Sequence, residues 1–106
     1  MLPKSLNYDH LYNTFNLNIP SKFNIASATI DKFANTNRIA LKNLKCNGEF
    51  ENLSFRFIQK KSNQLANALD NLNLNNNDRV GIILGQCPET LISHISCFKS
   101  GKISIP

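Results

Sequence analysis

The turn Leu84-Gly85-Gln86-Cys87-Pro88-Glu89 joins an apolar run to the start of a helix. Turns of this kind hold phosphate on the free backbone N–H groups of a helix N-terminus. The composition here argues for plain helix-end stabilisation instead. Gly85 alone would let a ligand approach the backbone, no lysine or arginine lies nearby, and Glu89 places in the first turn a negative charge that complements the helix dipole and repels phosphate. Ser100-Gly101-Lys102 resembles the end of a phosphate-binding loop but fails in detail, with Ile103 where Ser or Thr should hold magnesium and Ser96 where the first glycine should be. His94 and Cys97 lie three residues apart on one helix face. Two ligands do not close a tetrahedral metal site, and His10 sits in a polar N-terminal stretch, so the pair reads as a helix-surface imidazole and a small buried thiol. Asp9 and His10 are neighbours without a serine on a glycine-bracketed elbow. Glu49 and Glu51 alternate on a strand and so point to one face, where two carboxylates can do acid–base work; beside a hairpin turn they read as solvated charges. No catalytic, cofactor-binding or metal-binding residue follows from these patterns, which describe a binding or structural α/β piece.

The elements that would position these residues can be read from period and punctuation. Residues 1–22 read as an N-terminal arm, with Tyr8, Leu11, Tyr12 and Phe15 at helical spacing among polar residues. From Asn24, a cap, a helix is expected to bury Ile25, Ala26, Thr29, Ile30 and Phe33 and to end near Asn35-Thr36-Asn37. Arg38 to Cys46 reads as a strand, Asn47-Gly48 as a two-residue hairpin turn with positive φ at both central residues, and Glu49 to Leu53 as the return strand. Ser54 caps the longest helix, whose stripe is Ile58, Leu65, Ala66, Leu69 and Leu72, while Gln59, Lys60, Asn63, Asn67 and Asp70 face away. The run from Asn73 to Asp78 stops that helix, since short amides tolerate the left-handed conformation. Arg79 to Leu84 is apolar without alternation, which predicts a strand covered on both faces. Pro88 starts a helix with Leu91, Ile92, Ile95 and Phe98 inward and Gly101 as its stop, and Ile103-Ser104-Ile105 begins another strand. Strand, helix and strand at this spacing make a βαβ crossover and a parallel sheet.

At 106 residues with 42% hydrophobic and 18% charged residues, the chain fits one small globular domain and has no room for two. The formal charge of +5 is spread from Lys4 to Lys102 with one doublet, Lys60-Lys61, so it marks a solvated face and no nucleic-acid stripe. The apolar stretch at Val80 to Gly85 is far below the roughly 20 residues of a membrane span. The first seven residues lack the apolar core of a secretory signal, which makes the cytoplasm the expected compartment. Three cysteines without a Cys-x-x-Cys pair indicate neither a disulfide framework nor a zinc site.

One family shares the order and spacing of several segments: Phe23-Asn24-Ile25-Ala26 with Asp31, Ser54-Phe55 opening a helix that contains Ser62-Asn63-Gln64-Leu65-Ala66-Asn67, Asp78-Arg79-Val80, Gln86-Cys87-Pro88-Glu89, and Phe98 to Pro106. In these the chain resembles the N-terminal end of AMP-forming acyl-CoA synthetases, most closely the acetyl-CoA and medium-chain branch of the adenylate-forming superfamily, from about Tyr8 to Pro106. The departures have physical readings. Asn73 and Asn77 replace the usual glycines before Asp78-Arg79-Val80 and should be tolerated. Phe57 replaces a glutamate three residues after the cap, so the reciprocal capping bond is lost. Lys102 replaces a small alanine and puts the tight helix-to-strand packing at risk. Gly85 stands where the branch commonly has proline.

The resemblance implies a parent reaction in which ATP and magnesium convert a carboxylic acid to an acyl-adenylate and coenzyme A takes the acyl group. The family's phosphate loop, ribose-binding acid and C-terminal-domain lysine have no counterpart here, so no ATP, magnesium or CoA residue is carried over. Asp78, Arg79, Pro88, Glu89 and Gly101 match scaffold positions. The expected architecture is an incomplete N-terminal portion of the synthetase large domain over residues 23–106, with a hairpin and a βαβ unit. The expected behaviour is a fragment from a truncated or split gene, inactive alone. The alternative is an interaction module that docks on a complementary C-terminal synthetase chain.

Overall fold

The computed structural model describes Lys4 and residues 7–106; the remainder of the expected arm, residues 1–3 and 5–6, lies outside the described residues. The described chain is mixed α/β, with one antiparallel and one parallel pair of strands. Helix α1 (Tyr8–Thr14) buries none of its residues. Asn24 caps α2 (Ile25–Thr29) as its amide chemistry predicts, its Oδ1 accepting from the N–H groups of Ala26 and Ser27. The same side chain donates from Nδ2 to the carbonyl of Phe98, 2.9 Å away. The expected helix to residue 37 is not continuous. After Thr29, whose hydroxyl bonds back to the Ile25 carbonyl, the chain tightens into a 3-10 turn at Asp31–Phe33. Its buried side chains are Ala26, Ile30 and Ala34, whereas Ile25 stays exposed.

Strands β1 (Ile39–Leu44) and β2 (Phe50–Ser54) pair antiparallel. Their loop differs from the expected two-residue turn. Gly48 alone has positive φ, +83°, its N–H donates to the Lys45 carbonyl, and the Lys45 N–H donates to the Glu49 carbonyl. This is the three-residue hairpin loop in which glycine takes the left-handed position, and it leaves Asn47 in an ordinary conformation. Ser54 then caps α3 (Phe55–Asn71) by accepting from the Phe57 N–H at 3.2 Å. Ile58, Ser62 and Ala66, spaced four apart, are the buried residues of α3, with Leu65 and Leu69 half-buried. One expectation fails here, since Leu72 is 69% exposed at the helix end; Ser62 lies in the buried stripe with its hydroxyl donating to the Gln59 carbonyl.

Asn73 and Asn77 have φ of +59° and +68°, the conformations for which glycine is usually required. They lead into β3 (Arg79–Gly81), which pairs in parallel with β4 (Ile103–Ile105), and α4 (Pro88–Lys99) is the crossover. Pro88 occupies the first turn of α4. Gly101, at φ +67°, ends it, with the Lys102 N–H returning to the Cys97 carbonyl. The core joins α2, the β1–β2 hairpin, α3 and α4: Ala26, Ile30, Leu53, Ile58, Ile92 and Ile95, with Leu41, Phe55, Leu65 and Phe98 against its edge.

Lys102 reaches under the end of α4, only 6% exposed, and its Nζ meets the Asp70 carboxylate from α3. The packing at risk from Lys102 is therefore secured by Asp70, whose own side chain is more than half in water. Lys99 Nζ likewise lies 2.6 Å from Asp31 Oδ1 and 2.6 Å from Asn63 Oδ1. Asn63 and Asp70 are exposed, as expected of the outer face of α3, and they also hold Lys99 at the end of α4 and Lys102 just beyond it.

Candidate functional site

The turn before α4 is held by its own hydrogen bonds. Thr90 Oγ1 donates to the Gly85 carbonyl at 2.6 Å and lies 3.5 Å from Cys87 Sγ, and the Thr90 N–H donates to the Cys87 carbonyl. Glu89 sits in the first turn of the helix. Within the turn the one charged side chain, Glu89, is negative and the threonine hydroxyl is already engaged, a poor fit to a nucleotide phosphate, and Lys61 of α3 lines the cleft beside Pro88 and Glu89. A Cβ at Gly85 would meet nothing within 4 Å.

The other chemically suggestive residues are separated. Cys97 is buried, and burial is the main cause pushing its thiol above the ordinary value of 9.0, with the nearby Lys102 charge opposing the shift. His94 is half-buried with its ring 6.4 Å from that of Phe98. Glu49 accepts from Asn47 Nδ2, while Glu51 accepts from Asn43 Nδ2 and lies 4.0 Å from Lys45 Nζ. The two carboxylates thus have different partners and form no shared site. Asp9 lies in the first turn of α1, and the His10 backbone N–H donates to Asn7 Oδ1. Among the described residues, no group of three or more His, Cys, Asp or Glu side chains could hold a metal ion, and no helix is long and apolar enough to cross a membrane.

The chemistry that the structure does present is apolar. Burial along β3 and its continuation alternates: Val80 and Ile82 turn inward, and Arg79, Gly81 and Ile83 outward. Ile103 pairs with Arg79 and Ile105 with Gly81, and both isoleucines are exposed. The sheet is therefore covered on one face only, which corrects the expectation from the unbroken apolar run. Ile83 is 99% exposed and Leu84 51%, with a shallow cleft of about 270 Å³ between Leu65, Leu69 and the strand. That volume lies under the range typical of small-molecule sites, roughly 300–1,000 Å³. Apolar surface of this kind marks a packing face. The run's composition announces the face; which side of the strand the helices cover is a tertiary fact.

A βαβ unit preceded by a capped long helix and a hairpin makes a mixed α/β architecture. The chain belongs to the AMP-binding enzyme family, whose profile matches residues 30–106. It is 31% identical to a rat protein named mitochondrial acyl-coenzyme A synthetase ACSM3, over 94% of this chain and 19% of that protein. Human ACSM3 is 30% identical over 94% of this chain and 18% of its own length. Human mitochondrial acyl-coenzyme A synthetase ACSM2A is 33% identical over 83% of this chain and 17% of its own length. The chain thus spans less than a fifth of these relatives.

Proposed function

We propose that this chain is a scaffold section of an acyl-CoA synthetase large domain, residues 23–106 following an arm at 1–22, and that it has no ligase activity by itself. The observation that carries this reading is the half-covered sheet: a parallel pair with Ile83, Ile103 and Ile105 in water is built to be covered. The parent reaction of the synthetases, activation of a carboxylic acid by ATP with magnesium and transfer to coenzyme A, needs groups that we assign to polypeptide outside this chain. The lack of fit between the Leu84–Glu89 turn and phosphate supports that assignment. Purified chain should give no acid-dependent ATP–pyrophosphate exchange; robust exchange overturns the proposal.

The second reading is an interaction module, in which the same face docks on a complementary synthetase polypeptide. It predicts that co-expression with such a chain yields a stable complex, and the absence of any complex removes it. Both readings predict that the isolated chain is poorly stable and self-associating, since among the described residues the outer edges of the strand pairs have no partner strand. A sharp cooperative urea transition in a monomer contradicts them. We place the chain in the reducing cytoplasm, in keeping with its three free cysteines. The relatives are named as mitochondrial, and recovery in a mitochondrial fraction refutes the cytoplasmic assignment.

A further inference from the structure

The chain has 17 asparagines, and Asn47 alone is followed by glycine. Only before glycine is the next backbone nitrogen free of a neighbouring side chain, and at Gly48 a Cβ position would have nothing within 4 Å. Both residues are exposed at the hairpin tip. The Asn47 side chain is also held in a reactive setting. Its Oδ1 accepts from the Glu49 backbone N–H at 3.0 Å, which polarises the amide carbonyl and is aimed at the oxygen where negative charge would develop on attack. Its Nδ2 donates to Glu49 Oε2 at 2.9 Å.

We propose that Asn47 is a self-modifying site that deamidates through its own backbone. After the Gly48 N–H releases the Lys45 carbonyl, hydroxide removes its proton and the nitrogen attacks Asn47 Cγ. A C–N bond forms, the Cγ–Nδ2 bond breaks, and ammonia leaves with a proton from water. Water then opens the five-membered imide at either carbonyl, giving aspartate or isoaspartate and lowering the formal charge by one from +5. Either product loses the Nδ2 donor that Glu49 now accepts from and sets a second carboxylate beside it. Isoaspartate adds a backbone methylene to the loop that sets the β1–β2 register.

The test incubates the full chain at mildly acidic and mildly alkaline pH and follows the tryptic peptide from Cys46 to Arg56 by liquid chromatography and mass spectrometry. The expected result is a gain of one mass unit, placed at Asn47 and not Asn52 by fragmentation of the peptide, split over two isomeric peaks and faster at alkaline pH, while the peptides carrying the other asparagines stay unchanged. Asn47→Asp should co-elute with one of the two peaks from the start, and Gly48→Ala should slow conversion. A synthetic peptide of the same sequence supplies the intrinsic rate independently of folding. If the peptide converts while Asn47 of the full chain does not, the loop protects the residue and the proposal is overturned.

Discussion

Replacing Ile83 with lysine separates a packing face from a core. Ile83 is 99% exposed, so its transfer free energy is unspent in the isolated chain. Burying an isoleucine contributes about 1.5–3 kcal/mol, so a partner or second copy that covers Ile83 gains about 10- to 150-fold in affinity from it. Lysine forfeits that gain and adds a charge to desolvate. The fold itself should change by no more than about 0.5 kcal/mol, as for other surface substitutions. Sedimentation velocity should show Ile83→Lys shifted strongly toward monomer relative to the parent chain, with unchanged helical circular dichroism. Unchanged self-association would mean that the face is not adhesive, and a loss of helical signal would mean that Ile83 belongs to the core; either result refutes the reasoning.

The remaining predictions are best read in the Ile83→Lys background, by resistance to limited proteolysis, which tracks opening of the fold. Asp70→Ala leaves the Lys102 ammonium buried without its partner and should destabilise by about 1–3 kcal/mol, whereas Lys102→Met keeps the buried stem and should be neutral or stabilising. Asn77→Gly should be tolerated, while Asn77→Val, which places a branched side chain at φ +68°, should destabilise by about 1–2 kcal/mol. With an alkylating reagent Cys46 should react first and Cys97 last. Because the folded Cys97 thiol titrates above its unfolded value, its contribution to stability is intact below pH 9.0 and is lost as pH rises through the folded value, so its labelling should climb only on the alkaline side.

Local chemistry was readable wherever one residue type answers one backbone need. Asn73 and Asn77 take positive φ, Asn24 and Ser54 cap, Pro88 opens α4 and Gly101 closes it, and the βαβ order follows from these stops. Misreadings arise where an outcome depends on distant chain. The run at 79–84 does not say how many layers cover it. The Asp70–Lys102 and Asp31–Lys99 pairs join residues 32 and 68 positions apart, which no local pattern reports. At the hairpin, Asn-Gly reads as a two-residue turn, and the loop instead takes in Cys46 as a third residue with Gly48 alone at positive φ. For the candidate site, the motifs showed only that phosphate chemistry is a poor fit at the α4 turn, because the exposed face is made by what the fold leaves uncovered.

The double bonding of the Asn24 amide constrains the order of folding. Five residues are too few for α2 to persist as an isolated helix. Its capping residue is fastened to the Phe98 carbonyl across 74 positions of chain. The cap bonds to Ala26 and Ser27 are local, but the bond to Phe98 needs that long loop closed, at an entropic cost that local contacts cannot repay early. We expect the α3–α4 pair to form first and α2 to dock on it late, so that mutations in α2 speed unfolding more than they slow folding.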